Sequence, residues 1–301
     1  MANRVRRFTE RKRGNIAWMA ALAVLIYIIF AQRSLKQEER IVRLESLPAR
    51  PAAIATKAGY MNTAQGRAFV VRSDQQGIME TDKAGRPLWT HEFGTVLTTT
   101  SSSASLSAWG LLNGSVQVLD EEGQLLDEIK PVEDAITSTY PCVYSVAISE
   151  NGKSVAALYG LDPQYFLVYA KSDRGYGLVF EKKLERQVLR GQQSAFSRDG
   201  NSVICHTADG LALYDVKQKK GVIIRADYFA DGTELLMEPI GPDSFALLAA
   251  RGNESFAGLM RNGSIEAMFP IDEGSSSLIV SGDVMTIEGR NVTQRYKVVS
   301  P

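Results

Sequence analysis

The chain has 301 residues, with 34 Lys and Arg against 34 Asp and Glu and a net charge of zero. No overall field therefore recruits nucleic acid or an acidic surface. Two cysteines, Cys142 and Cys205, are too few and too far apart for a disulfide framework or clustered zinc ligands; they read as small buried apolar residues, with a single bridge between them as the alternative.

The first element is an uncharged run from Ile16 to Ala31, IAWMAALAVLIYIIFA. As a helix rising ~1.5 Å per residue, it covers most of a bilayer's hydrocarbon thickness. Ile16, Trp18, Leu22, Leu25, Ile28 and Phe30 are the expected anchor residues, within a span over 15–32. No small-residue cleavage pattern follows, which argues against a removed signal peptide. The basic group Arg4, Arg6, Arg7, Arg11, Lys12 and Arg13 precedes the run, whereas acidic residues dilute the basic residues after it. The positive-inside rule then puts tail 1–14 in the cytoplasm and the bulk of the chain outside it, in the periplasm where the envelope is of the Gram-negative type.

Residues 33–51 follow as a polar segment that could continue the helix as a stalk, and Pro48 and Pro51 stop it. From 52 to 301 no helical period persists. Short apolar or alternating runs recur instead between Gly, Asn, Asp and Ser turns, which makes this domain all-β.

One hairpin type recurs along the domain: GIMETDKAGRPLWTHEF (Gly77 to Phe93), SVQVLDEEGQLLDEI (Ser115 to Ile129), FLVYAKSDRGYGLVFEKKL (Phe166 to Leu184), GLALYDVKQKKGVIIRADY (Gly210 to Tyr228) and SFAGLMRNGSIEAMFPI (Ser255 to Ile271). Successive copies are spaced by roughly 35–50 residues, the length of a four-stranded propeller blade. In such a blade the hairpin supplies the outer two strands. A second phrase, AISENGKSVAALY (Ala147 to Tyr159) and AFSRDGNSVICHT (Ala195 to Thr207), reads as inner strands joined at Asn151-Gly152 and Asp199-Gly200. The expected architecture is a β-propeller of six four-stranded blades, with seven as the alternative. The last unit, Ser275 to Val299, has room for only three strands, so Ala52 to Lys57 is expected to complete it and close the ring.

Phe196 to Asn201 followed by Leu213-Tyr214-Asp215 resembles WD40-like repeats, with Arg198 where those repeats usually carry proline. Asp82, Gly85 and Trp89 are similar to the blade signature of quinoprotein-type propellers. These resemblances imply an architecture; they do not imply an activity.

Catalytic patterns are sparse. His91 and His206 stand alone, without a nucleophile elbow, and the acidic groups Asp120-Glu121-Glu122 and Asp127-Glu128 lack calcium-loop spacing. No P-loop or dinucleotide fingerprint occurs. No metal, cofactor or nucleic-acid partner is expected. The expectation is therefore a noncatalytic, membrane-tethered scaffold or assembly factor that binds another envelope or membrane protein. The alternative is a propeller-type enzyme or small-ligand sensor, quinoprotein-like dehydrogenase or hydrolase.

Overall fold

Apolar runs broken by turn-forming residues become strands of antiparallel sheets in the computed structural model, which describes residues 41–48, 59–62, 68–82, 84–130, 141–160, 163–184, 193–207, 210–225, 227–229, 233–271, 274–289 and 292–298. The strand nearest the N-terminus is β1 (Ile41–Pro48). Then come five sheets of four consecutive strands each: β2 (Gly59–Asn62), β3 (Ala68–Val71), β4 (Gly77–Thr81) and β5 (Pro87–Glu92); β6 (Leu97–Ser102), β7 (Ser107–Leu111), β8 (Val116–Leu119) and β9 (Leu125–Ile129); β10 (Val143–Ile148), β11 (Ser154–Tyr159), β12 (Gln164–Ser172) and β13 (Gly175–Leu184); β14 (Ser194–Phe196), β15 (Ser202–Thr207), β16 (Gly210–Asp215) and β17 (Lys220–Ile224); and β18 (Glu234–Gly241), β19 (Ser244–Arg251), β20 (Glu254–Arg261) and β21 (Ser264–Ile271). The sixth sheet holds β22 (Ser275–Ser281), β23 (Val284–Gly289) and β24 (Val292–Val298), and its fourth strand is β1.

The first strands of successive sheets, β6, β10, β14, β18 and β22, touch in turn. Each sheet is a blade of a β-propeller, counted here from one to six, with its first strand innermost. The repeated hairpins are the outer two strands of blades one to five, and both Asn/Asp-Gly turns join the inner two strands, as the sequence leads one to expect.

The core lies between blades. In β11, Val155, Ala157 and Tyr159 face a cluster shared with Val116 and Val118 of blade two, while Ala156 and Leu158 face one shared with Val203 and Cys205 of blade four. Both faces of the strand are covered, so its apolar residues run on instead of alternating with polar ones. Trp109 and Tyr214 are fully buried in such seams, so these aromatics pack the blades. Gly110 allows a close approach: a Cβ there would lie 2.7 Å from Val143 Cγ1 and 2.5 Å from Thr99 Cγ2. Beside it, the Thr98 hydroxyl sits 2.6 Å from the Val143 carbonyl oxygen, tying β6 to β10.

One expectation is corrected. Ile41–Pro48, read as part of a helical stalk, is a strand that pairs antiparallel with β24, from Ile41 opposite Val298 to Pro48 opposite Val292. A bulge between Arg43 and Glu45 breaks its alternation, and the otherwise open edge of β24 satisfies its backbone groups. The last blade is thus completed by this strand. Ala52 to Lys57, expected in that role, lies outside the described residues, as does the anchor run Ile16 to Ala31. Among the described residues no helix is long and apolar enough to cross a membrane.

Candidate functional site

Because neighbouring strands run in opposite directions, the turns after the first strand of every blade and after the third strand of blades one to five share one face of the ring. The turns after the second strands and the connections between blades share the other. All the signature residues fall on or beside the first of these faces, where they serve the backbone.

The two repeated phrases match there atom for atom. In blade three the Ser149 hydroxyl donates to Asn151 Oδ1 at 2.9 Å and accepts the Ser154 amide at 2.9 Å, while Asn151 Oδ1 accepts the Lys153 amide. In blade four the Ser197 hydroxyl donates to Asp199 Oδ1 at 2.7 Å and accepts the Ser202 amide at 3.0 Å, while Asp199 Oδ1 accepts the Asn201 amide. Gly152 and Gly200 take φ of 64° and 71°, the conformation glycine adopts without a Cβ clash. Burial pushes the Asp199 carboxyl up, but these donors and the Lys217 charge outweigh it and hold the group below its usual range. Sequence reasoning singled out Asn151, Gly152, Asp199 and Gly200 and missed the serines, although the shared spacing Ser-x-Asn/Asp-Gly-x-Ser was legible.

The remaining signature residues have similar duties. Asp82 Oδ1 accepts the amides of Ala84 at 2.8 Å and Arg86 at 2.9 Å around Gly85, and the Arg86 amide and side chain hold its carboxyl below the usual range. Trp89 donates from Nε1 to the Glu121 carbonyl at 2.8 Å, clasping blade one to the outer turn of blade two. Tyr214 stacks on Phe180 at 4.3 Å, and Asp215 Oδ1 accepts the Gln218 amide at 2.8 Å.

His91 is half-buried, with Nε2 2.9 Å from Gln117 Oε1, and His206 is buried in β15. Among the described residues no group of three or more His, Cys, Asp or Glu could hold a metal ion. Cys142 and Cys205 are both free and buried, and burial pushes the Cys205 thiol up to about 12. On inner strand β18, Glu238 is raised to about 7 by burial alone.

Two surface features stand apart from this packing. Leu88, Leu125, Leu126, Leu178, Val179 and Val222 are exposed by 40% to 60%, and all sit on β5, β9, β13 and β17, the outermost strands of four consecutive blades. The second feature lies on the face of the between-blade connections. There a cleft of about 170 Å³ is lined by Tyr228, Thr233, Ala249, Arg251, Glu254 and Phe256. Its aromatic rings, Tyr228 and Phe256, meet edge to face at 5.2 Å.

A family model described as a beta-propeller protein matches residues 39–233. The chain belongs to that β-propeller family. An uncharacterized protein of Treponema pallidum (strain Nichols) is 24% identical over 166 residues, 55% of this propeller protein and 43% of its relative, so the chain spans less than half of that relative's length. The solved structure of KlHsv2 with loop 6CD replaced by a Gly-Ser linker is similar at 12% identity and a TM-score of 0.49, over 68% of this propeller protein and 66% of its own chain. The signature residues that first suggested a propeller prove to be its turn-formers and seam-fillers. The rim and the cleft carry no repeat signature at all.

Proposed function

We propose that this propeller is a noncatalytic protein-binding scaffold or assembly factor of a cell envelope, tethered through the run Ile16 to Ala31 with its domain outside the cytoplasm. The observation that carries the reading is the rim: apolar side chains exposed on the outermost strands of blades one to four. Apolar side chains left in water on four successive outer strands offer positions for protein contact. The tether rests on the length of the apolar run and on the excess of Arg and Lys before it.

The test is cross-linking in intact cells followed by purification of the full chain, comparing the native sequence with L125D/L126D/L178D. These three positions are exposed, so each change costs no more than about 0.5 kcal/mol and the variant stays folded, as its thermal melt checks. The expected result is a stoichiometric envelope protein captured by the native chain and lost with the variant. Equal capture by both chains, or no stoichiometric partner for either, overturns the reading. Protease protection of the propeller in sealed cells, with digestion once the outer barrier is opened, tests its placement.

A further inference from the structure

We propose that the chain pairs with a second copy of itself through the face that carries the Asn/Asp-Gly turns, the acidic outer turn of blade two meeting the basic outer turn of blade four. The inference goes beyond the scaffold reading and uses none of the exposed apolar residues of the rim.

The two turns occupy equivalent places and carry opposite charge. Each joins the third and fourth strands of its blade, 120–124 between β8 and β9 and 216–219 between β16 and β17, so both stand at the outer edge of one face. In blade two Glu121 and Glu122 are exposed, whereas the Asp120 carboxylate is used within the turn, its Oδ1 accepting the amides of Glu122 at 3.1 Å and Gln124 at 2.7 Å. In blade four Lys217, Lys219 and Lys220 are exposed, and Asp215 is likewise taken up by the Gln218 amide. A chain with no net charge thus concentrates carboxylates on one turn and ammonium groups on another. Among the described residues, Glu121, Glu122, Lys219 and Lys220 make no ion pair within their own chain.

Blade three keeps the two turns apart within one ring, but a face-to-face pair brings them together. A two-fold axis lying in the plane of the face, through blades three and six, lays blade two of one copy over blade four of the other and repeats that contact on the far side, as an isologous interface requires. Blade three then faces itself, and its outer turn carries both signs, with Lys171, Asp173 and Arg174 exposed. Elsewhere the facing charges are already paired within each copy: Arg86 with Asp82 at 2.7 Å in blade one, Arg261 with Glu266 at 3.6 Å in blade five, and Lys297 with Asp283 at 3.6 Å in blade six. The turns of this face leave at most five residues between the strands they join, so none projects far enough to hold the faces apart.

The axis set by charge also suits the tether, an argument that rests on the scaffold reading. Because β1 runs antiparallel to β24, from Ile41 opposite Val298 to Pro48 opposite Val292, it enters blade six at Ile41 on this same face. With blade six on the axis the two entry points are adjacent, and one bilayer lying across the axis beyond them takes both tethers. Exposed ion pairs add little affinity singly and mainly fix the register; anchoring in one membrane raises the effective concentration at which the faces meet.

The experiment uses the full-length, detergent-solubilised chain and two charge-reversed variants, E121K/E122K and K219E/K220E. Sedimentation velocity reads self-association, and a carbodiimide, which joins a carboxylate to an amine without a spacer, reads which residues meet in a mixture of isotope-labelled and unlabelled chains. The expected result is a native dimer whose dissociation constant rises by about tenfold between low and high salt, with links between copies from Glu121 or Glu122 to Lys217, Lys219 or Lys220. Each variant alone sets like charges opposite one another and self-associates about a hundredfold more weakly. Their mixture dimerises with near-native affinity, because each variant supplies the turn that the other has lost. Recovery in the mixture also shows that both variants are folded. A native chain that stays monomeric at about 100 µM, a variant that self-associates like the native chain, or a mixture that fails to pair overturns the proposal. Protease sensitivity of the propeller in sealed cells sinks the tether reading while leaving the mixing result intact, so the two failures are distinguishable.

Discussion

Arg198 donates from Nη2 to the carbonyl oxygen of Gly282 at 3.1 Å, joining the inner turn of blade four to that of blade six past the blade between them. The intervening blade is tied in separately, by the Ser202 hydroxyl donating to Asp243 Oδ1 at 2.8 Å. The arginine that departs from the WD40-like pattern thus has a structural duty. Its bond is exposed, so R198A is expected to cost no more than about 1 kcal/mol. Amide hydrogen exchange at Gly282 and Asp283 accelerates in the variant while exchange in β19 stays unchanged.

At the Gly110 approach the expected cost is larger. An added methyl meets Val143 and Thr99 well inside contact distance, and neither neighbour can move without opening the seam between blades two and three. G110A is expected to lose about 1–3 kcal/mol of stability, read as the shift in denaturant midpoint at unchanged slope. V143A in the same chain recovers part of the loss, because it makes room for the methyl.

Two carboxylates give opposite pH signatures. Glu238 is raised from 4.5 to about 7 in the folded chain, so between those values the folded state binds more protons than the unfolded one. Its contribution is full below about pH 4.5 and is lost as pH rises through about 7. Each unit of such a shift corresponds to about 1.4 kcal/mol, so E238Q is expected to stabilise the chain by about 1–3 kcal/mol at pH 8 and to make no difference near pH 4. Thermal melts across pH 4–8 check the crossover.

Asp199 behaves in the reverse sense. Its folded carboxyl lies below 3.8, so its contribution is present at neutral pH and disappears as pH falls through and below that value. D199A is expected to cost about 1 kcal/mol at pH 7 and less as the native group protonates, with a remainder because a neutral oxygen still accepts in such a turn, as Asn151 does in blade three. Melts at pH 7 and pH 3 measure the difference.

The closing strand makes the most global prediction. A chain beginning at Ala49 leaves β24 with an unpaired edge, and its melting midpoint is expected to fall by more than about 5 °C. The truncated chain also self-associates at concentrations where one retaining Ile41–Pro48 does not, as sedimentation velocity reads out.

The two repeated phrases were legible in the sequence because their determinants are local: Ser149 to Ser154 and Ser197 to Ser202 each hold their own turn through side chains a few residues apart. The closing strand was not, since Val42, Leu44 and Leu47 suit a helix face as well as a bulged strand and the deciding partner is at the other end of the chain. Nor was the cleft, because Tyr228, Thr233 and Phe256 are far apart in sequence and come together only in the folded blade.

The pairing of β1 with β24 also has a mechanical side. Any tension transmitted through the residues before Ile41 reaches the disc at its outer circumference, and the hydrogen bonds from Ile41–Val298 to Pro48–Val292 bear it before any seam between blades does. A pulling experiment on the N-terminus should therefore record a small first rupture as this one strand peels away, followed by the larger failure of a ring that has lost its fastening.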